Sequence, residues 1–208
     1  VDTKKLGQVH FFWYGNPKEL FDNFTDAKIK MIQDTSEISA NMKKRGGGVL
    51  DLKLLDFTNK KKNYYQIKAS FETCDSMGAN FINTCLEQFA KSLGSFYQEL
   101  TGKDDCIEII MSILSNYTPE CMVKAMVECP IEDLGVFKNG ITAEIFATKF
   151  NDAVEIAEID PYRATTHNKG IYNGIDSVVI ATGNDFRAIE SCGHTYAAEN
   201  GYSSLSHC

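Results

Sequence analysis

No run of 18 or more apolar residues occurs in this sequence, so nothing in it reads as a membrane-spanning helix. The opening VDTKKLGQ has no apolar core and no small-residue cleavage signal, so no secretory leader is expected. Basic charge is in short supply, with 21 Lys and Arg against 28 Asp and Glu and a formal net charge of -7. Binding a polyanion needs a clustered basic excess, so nucleic acid is not an expected partner. The run Lys60-Lys61-Lys62 lies between Asn59 and Asn63 and reads as the solvated tip of a hairpin. CxxC pairs are missing as well. The seven cysteines stand at 74, 85, 106, 121, 129, 192 and 208, with His194 two residues after Cys192 and His207 beside Cys208. Zinc sites draw on tight ligand pairs, so no metal is expected. The thiols read as reduced, mostly buried small hydrophobes of a cytoplasmic protein.

What remains is an ordinary globular composition, 43% hydrophobic and 24% charged, long enough to bury a core. QVHFFWY (8–14) predicts a strand, and Asn16-Pro17 supplies an N-cap and a first-turn proline. Apolar residues Leu20, Phe21, Ile29, Ile32 and Ile38 predict one helix over 18–45, stopped by Gly46-Gly47-Gly48. VLDLKLLDF (49–57) and NYYQIKASFE (63–72) alternate as two strands of a hairpin. A second helix is expected over 76–100, with Phe81, Cys85, Phe89, Leu93 and Phe96 on one face. CIEIIMSIL (106–114) closes the series as a strand. The order is β-α-β-β-α-β, an α+β arrangement of the ferredoxin-like kind, with both helices on one face of an antiparallel sheet.

Beyond Asn116 the pattern turns helical, so the domains are expected at 1–116 and 117–208. Helices are expected from Thr118-Pro119, over 142–157 with Ile145, Phe146, Ala153, Val154 and Ala157 as its apolar side, through KGIYNGIDSVVIATG to Gly183, and over 185–198. About ninety residues of such helix are apolar on more than one side and lack a partner layer.

Three stretches could carry chemistry. CDSMGAN (74–80) lies where a strand gives way to a helix. Asp75 or Ser76 can cap there, and Gly78 leaves the helix end open for a pyrophosphate. On spacing alone an ordinary capped helix start accounts for it better, since this is not GxGxxG. Asp51, on the strand after the glycine turn, could hold a ribose hydroxyl or simply face solvent. DPYRATTHNKGIYNGID (160–176) and ATGNDFRAIE (181–190) are unusually polar for helical sequence. Arg163, His167, Asn168, Lys169, Asn173 and Asp185 could each reach a site, although any one of them could equally be an exposed charge or a cap.

RGGGVLDL, CDSMGAN, DPYRATTHNKGIYNGID and ATGNDFRA, in this order and spacing along the whole chain, resemble the signatures of class II hydroxymethylglutaryl-CoA reductases. The resemblance implies a ferredoxin-like small domain binding a nicotinamide cofactor, followed by part of a mainly helical catalytic domain. It implies that Asp51 contacts the adenosine ribose, and that Asp75, Met77, Gly78 and Asn80 line the path from pyrophosphate to nicotinamide, with Asn116 near the nicotinamide ring. Arg163 would hold the substrate carboxylate, Lys169 and Asp185 would be catalytic, and Asn173 would help position them. The cofactor would be NADH or NADPH. Asp51 leans toward NADH by repelling a 2′-phosphate, while Lys43, Lys44, Arg45 and Lys53 offset it. The expected partners are hydroxymethylglutaryl-CoA, mevalonate and CoA, in a homodimer with a shared active site.

Two groups of the family pattern have no counterpart here. The glutamate of the E-N-V-x-G motif precedes the small domain, and none of His10, His167, His194 and His207 stands in the context of the family's thiolate-protonating histidine. The sequence therefore reads as a portion of a reductase that is inactive by itself. The competing reading is a non-catalytic ferredoxin-like nucleotide-binding or regulatory module, which would have no need of Lys169 and Asp185 together.

Overall fold

The computed structural model describes residues 3–135 and 137–208 and divides into two compact units, Val1–Met122 and Val123–Cys208. In the first, β1 (Lys4–Trp13) leads to three short helices, α1 (Pro17–Asp22), α2 (Phe24–Asp34) and α3 (Ser36–Lys44). Strands β2 (Gly48–Asp56) and β3 (Tyr64–Glu72), the long helix α4 (Ala79–Thr101) and β4 (Ile107–Ser115) complete it. The strands are antiparallel neighbours in the order β2-β3-β1-β4, as the ferredoxin-like expectation requires.

Burial explains the pattern. Val9, Phe11 and Trp13 of β1 and Tyr65, Ile67, Ala69 and Phe71 of β3 turn every second side chain into the core. They meet Ile82, Cys85, Leu86, Phe89, Leu93 and Tyr97 of α4, and Trp13 packs edge-on against Tyr97 with ring centroids 5.1 Å apart. Phe81 and Phe96 lie at the margins of this face, partly buried against the core. Consecutive Val49 and Leu50 are resolved by a bulge: the register with β3 shifts between Val49 and Asp51, and Leu50 is left 55% exposed.

The single helix expected over 18–45 is in fact three. Asn23 Nδ2 donates to the Glu19 carbonyl at 2.9 Å, and Thr35 Oγ1 donates to the Met31 and Ile32 carbonyls at 3.0 Å each. Each side chain takes a carbonyl that the continuing helix would use, so the chain bends at both points and wraps the core. The expectation of mostly buried thiols is also corrected. Cys85 and Cys106 are buried, whereas Cys74, Cys121 and Cys192 are half-buried and Cys129 and Cys208 exposed.

In the second unit a 3₁₀ turn (Ile131–Leu134) precedes α5 (Ala143–Ile159), α6 (Pro161–Ala181) and α7 (Phe186–Ala197). No helix starts at Thr118-Pro119. A single turn forms there, Cys121 N–H to the Thr118 carbonyl at 2.9 Å, and Val123–Cys129 remain exposed without regular structure. A short, largely exposed segment does not sustain a helix. Thr142 caps α5, accepting from Ile145 N–H at 3.3 Å. Asp160 ends α5 and caps α6, accepting from Tyr162 N–H at 3.0 Å with Pro161 in the first turn. The buried face of α6 is Ala164, Asn168 and Tyr172, at steps of four. Outside it, Ile159 (80%), Tyr162 (90%), Val178 and Ile180 stand exposed in this unit.

Candidate cofactor site and catalytic helix

In the first unit the candidate residues cluster at one end of the sheet. Gly48 and Lys4 both pair with Glu72, and Leu6 pairs with Ser115, so the start of β2, the end of β3, the start of β1 and the end of β4 lie together. Asn116 follows β4 there, exposed. The loop of residues 73–78 leaves β3 at the same end and is braced from below. Glu72 accepts from Thr3 Oγ1 at 2.6 and 2.7 Å and from Cys74 N–H at 2.7 Å, and these bonds hold its carboxyl below the usual range. Thr73, buried, donates to the Ser76 carbonyl at 2.6 Å, and Ser76 Oγ donates back to the Thr73 carbonyl at 2.8 Å.

Gly78, not Asp75 or Ser76, is the N-cap of α4. Its φ of 72° is left-handed, and a Cβ there would lie 2.4 Å from Thr73 Cγ2, so both backbone and space demand glycine. No side chain caps the helix, and the first N–H groups of a 23-residue helix point outward with its positive dipole. They open onto a cleft of about 540 Å³ lined by Ile38, Met42 and Arg45 of α3 and its end and by Asn80, Phe81 and Thr84 of α4. Asn80 is exposed in this lining, whereas Asp75 and Met77, also exposed, are not among the residues that line the cleft. The α3 residues Ile38, Asn41 and Met42 had no signal in the sequence as site residues, because their place beside α4 arises from helix packing.

Asp51 does not simply face solvent. Its Oδ1 accepts from Lys28 Nζ of α2 and from Leu52 N–H at 2.8 Å, and its carboxyl lies below the ordinary value, chiefly through Lys28.

In the second unit, Lys169 and Asn173 are four residues apart and share one exposed face of α6. Arg163 is half-buried a turn and a half earlier, off that face. It lies near His167, which burial first and this positive charge second hold below its ordinary value. Asp185 caps α7, accepting from Arg187 N–H at 3.0 Å and Ala188 N–H at 3.4 Å, and pairs with the Arg187 guanidinium at 3.1 Å. Arg187 holds it below the usual carboxylate range. Asp185 forms no ion pair with Lys169, the other residue that the resemblance implies is catalytic. Twelve residues of α6, about 18 Å at 1.5 Å per residue, separate Lys169 from the end of the helix that precedes Asp185. Asn168 does not reach a site either. It is fully buried and clamps the C-terminal segment, donating to the Ser203 carbonyl at 2.9 Å and accepting from Leu205 N–H at 2.9 Å.

A ferredoxin-like unit with an uncapped, glycine-started helix, followed by a helical unit with an exposed lysine, defines a two-unit α+β protein. Residues 2–208 match the family model of hydroxymethylglutaryl-coenzyme A reductase, and the chain belongs to that family. It is 32% identical over 201 residues to the 3-hydroxy-3-methylglutaryl-coenzyme A reductase of Archaeoglobus fulgidus, spanning 96% of this chain and 42% of that relative. It is 31% identical to a probable reductase of the same name from Borreliella burgdorferi, over 88% of this chain and 40% of the relative. The chain thus spans about two fifths of the curated relatives it matches. Among solved structures, the reductase of Streptococcus pneumoniae superposes with a TM-score of 0.76 at 32% identity, over 99% of this chain and 53% of that one. A class II reductase from the same organism, bound to NADPH in open conformations, gives a TM-score of 0.71 at 30% identity over 98% of this chain and 53% of that one.

Proposed function

We propose that this chain binds a nicotinamide dinucleotide in its first unit and carries the catalytic lysine of a hydroxymethylglutaryl-CoA reductase in its second, as a cytoplasmic protein working as a homodimer. The observation that carries the cofactor reading is the uncapped start of α4 at Gly78, where no side chain competes for the outward N–H groups. Those groups would hold the pyrophosphate, Asp51 the adenosine ribose, and Asp75, Met77, Asn80 and Asn116 the path to the nicotinamide. The cofactor, when bound, supplies hydride.

The reaction takes a thioester to a primary alcohol with two hydrides and two protons, releasing CoA. Arg163 offers a planar fork to the substrate's free carboxylate. Lys169, an exposed ammonium, meets the negative charge that grows on the substrate oxygen, where a fixed cation counts most once water is excluded. Asn173 on the same helix face positions the substrate beside it. Asp185, catalytic by the family resemblance, is held anionic by Arg187 and stands apart from Lys169 in this structure. The exposed apolar residues of α5 and α6 support burial against further protein, as in a dimer.

Calorimetric titration of this chain with NADH and with NADPH tests the cofactor reading without turnover. Binding of at least one is expected, with loss of about tenfold or more for Gly78→Val, whose side chain collides with Thr73 and displaces the loop at the helix end. A Gly78→Val chain that folds and binds as wild type removes the cofactor from this cleft.

A further inference from the structure

We infer that Lys28 on α2 sets the choice between the two cofactors, by pairing with Asp51 when the ribose carries a 2′-hydroxyl and by taking the 2′-phosphate when it carries one. This rests on the reading of the first unit as a dinucleotide site. A bare aspartate at this place excludes NADPH, because a carboxylate and a phosphate repel. Asp51 is not bare. Both bonds it accepts within the protein fall on Oδ1, one from Lys28 and one from Leu52 N–H, and Oδ2 is used by neither. A 2′-hydroxyl can therefore donate to Oδ2 with the ion pair intact.

The lysine has its own spare capacity. Its side chain is 32% exposed, and one of three ammonium N–H groups is engaged by Asp51. The remaining two can meet phosphate oxygens, while Leu52 N–H continues to hold the aspartate. Lys53 is the other charge acting on Asp51, and like Lys28 it is a cation.

The position suits a ribose. A Cβ at Gly47 would lie 2.5 Å from the Glu72 carbonyl, so the glycine turn presses against the root of the loop that leads to α4. Asp51 lies three residues along β2 from Gly48, about 10 Å at ~3.3 Å per residue. A nucleotide whose pyrophosphate caps α4 extends past the glycine turn toward that carboxylate. Lys28 reaches it from α2, 23 residues earlier in the chain, so no motif contains both.

The test is a set of titrations on the intact chain with NADH and NADPH, each variant checked for folding by its thermal transition. Lys28→Met keeps the apolar stem and removes the charge. It is expected to weaken NADPH by about tenfold or more while leaving NADH unchanged or tighter. Lys28→Arg should restore NADPH. Asp51→Asn should act in the opposite sense, weakening NADH and sparing or tightening NADPH. An NADPH-to-NADH affinity ratio that Lys28→Met leaves at the wild-type value overturns the inference. If Gly78→Val at the same time abolishes both affinities, the dinucleotide site stands and the role of Lys28 alone falls. A wild-type chain that binds neither cofactor overturns both.

Discussion

At the scale of single residues, charge and hydrogen bonding decide more of this molecule than side-chain type does. Glu72 closes β3 and braces the loop before α4 through Thr3 and the Cys74 N–H, bonds that favour its ionised form. Its folded-state value is therefore depressed below the ordinary 4.5, with the Thr3 hydroxyl as the largest cause. The sign follows from linkage: this contribution is complete above the unfolded-state value and is lost as pH falls through the folded one. Glu72→Gln should therefore melt at a lower temperature than wild type near pH 7, and the gap should close in the acid window below 4.5. Thermal melts of both proteins at pH 7 and pH 3 check this, and a constant gap would show that the carboxylate charge is irrelevant to the loop. Lys169 also belongs to this scale. In a full-length reductase Lys169→Ala should lower kcat by roughly 10²–10³-fold or more, with little change in cofactor affinity, since the ammonium acts on charge that develops in the transition state. A kcat near wild type would remove it from the mechanism and favour the non-catalytic reading.

At the scale of elements, polar side chains set where helices bend, begin and stay. Thr35 and Asn23 divide one amphipathic stretch into three helices by bonding back onto the preceding turn. Gly78 opens α4 and Asp185 opens α7, the first leaving its N–H groups outward and the second satisfying them. Asn168 works differently, from the middle of a helix. It is fully buried on α6 and holds the Ser203 carbonyl and the Leu205 N–H, so it ties the C-terminal segment to the helix that carries Lys169. Asn168→Ala leaves those backbone groups without their partner at about 1–3 kcal/mol for a buried unsatisfied group. The variant should lose thermal stability, and limited proteolysis should cut the segment after residue 198 sooner than in wild type. An unchanged cleavage rate would mean that the segment is held by its other contacts, such as Ser203 N–H to the Ala197 carbonyl at 3.0 Å.

At the scale of the whole molecule, the chain spans about two fifths of the curated reductases it matches, and its second unit leaves large apolar residues of α5 and α6 exposed. The family resemblance implies acids that these 208 residues do not hold in the expected contexts, and such groups contribute on the order of 10²–10⁴-fold each. This polypeptide by itself is therefore expected to bind cofactor without turnover. Incubation with hydroxymethylglutaryl-CoA and either cofactor, with free thiol as the readout, checks this, and CoA release at a rate ordinary for an enzyme would overturn it.

The βαββαβ order was legible in the sequence because strand and helix periods are local. Val9-Phe11-Trp13 alternates, α4 repeats at three and four, and the glycines stop the chain where it turns. The family was legible for a similar reason, since its motifs are short and contiguous. Other features were not legible, and most depend on residues far apart in sequence. The bulge at Leu50 is set by the register with β3, and the Lys28–Asp51 pair joins residues 23 apart. Asn168 looks like an active-site amide within HNKG, yet its partners lie 35 and 37 residues on, and they bury it. Lys169 and Asp185 stand close in the sequence but on different helices, and the aspartate is paired with Arg187. Local periodicity determined which elements form, and long-range packing decided which polar groups are spent on structure and which remain for a ligand.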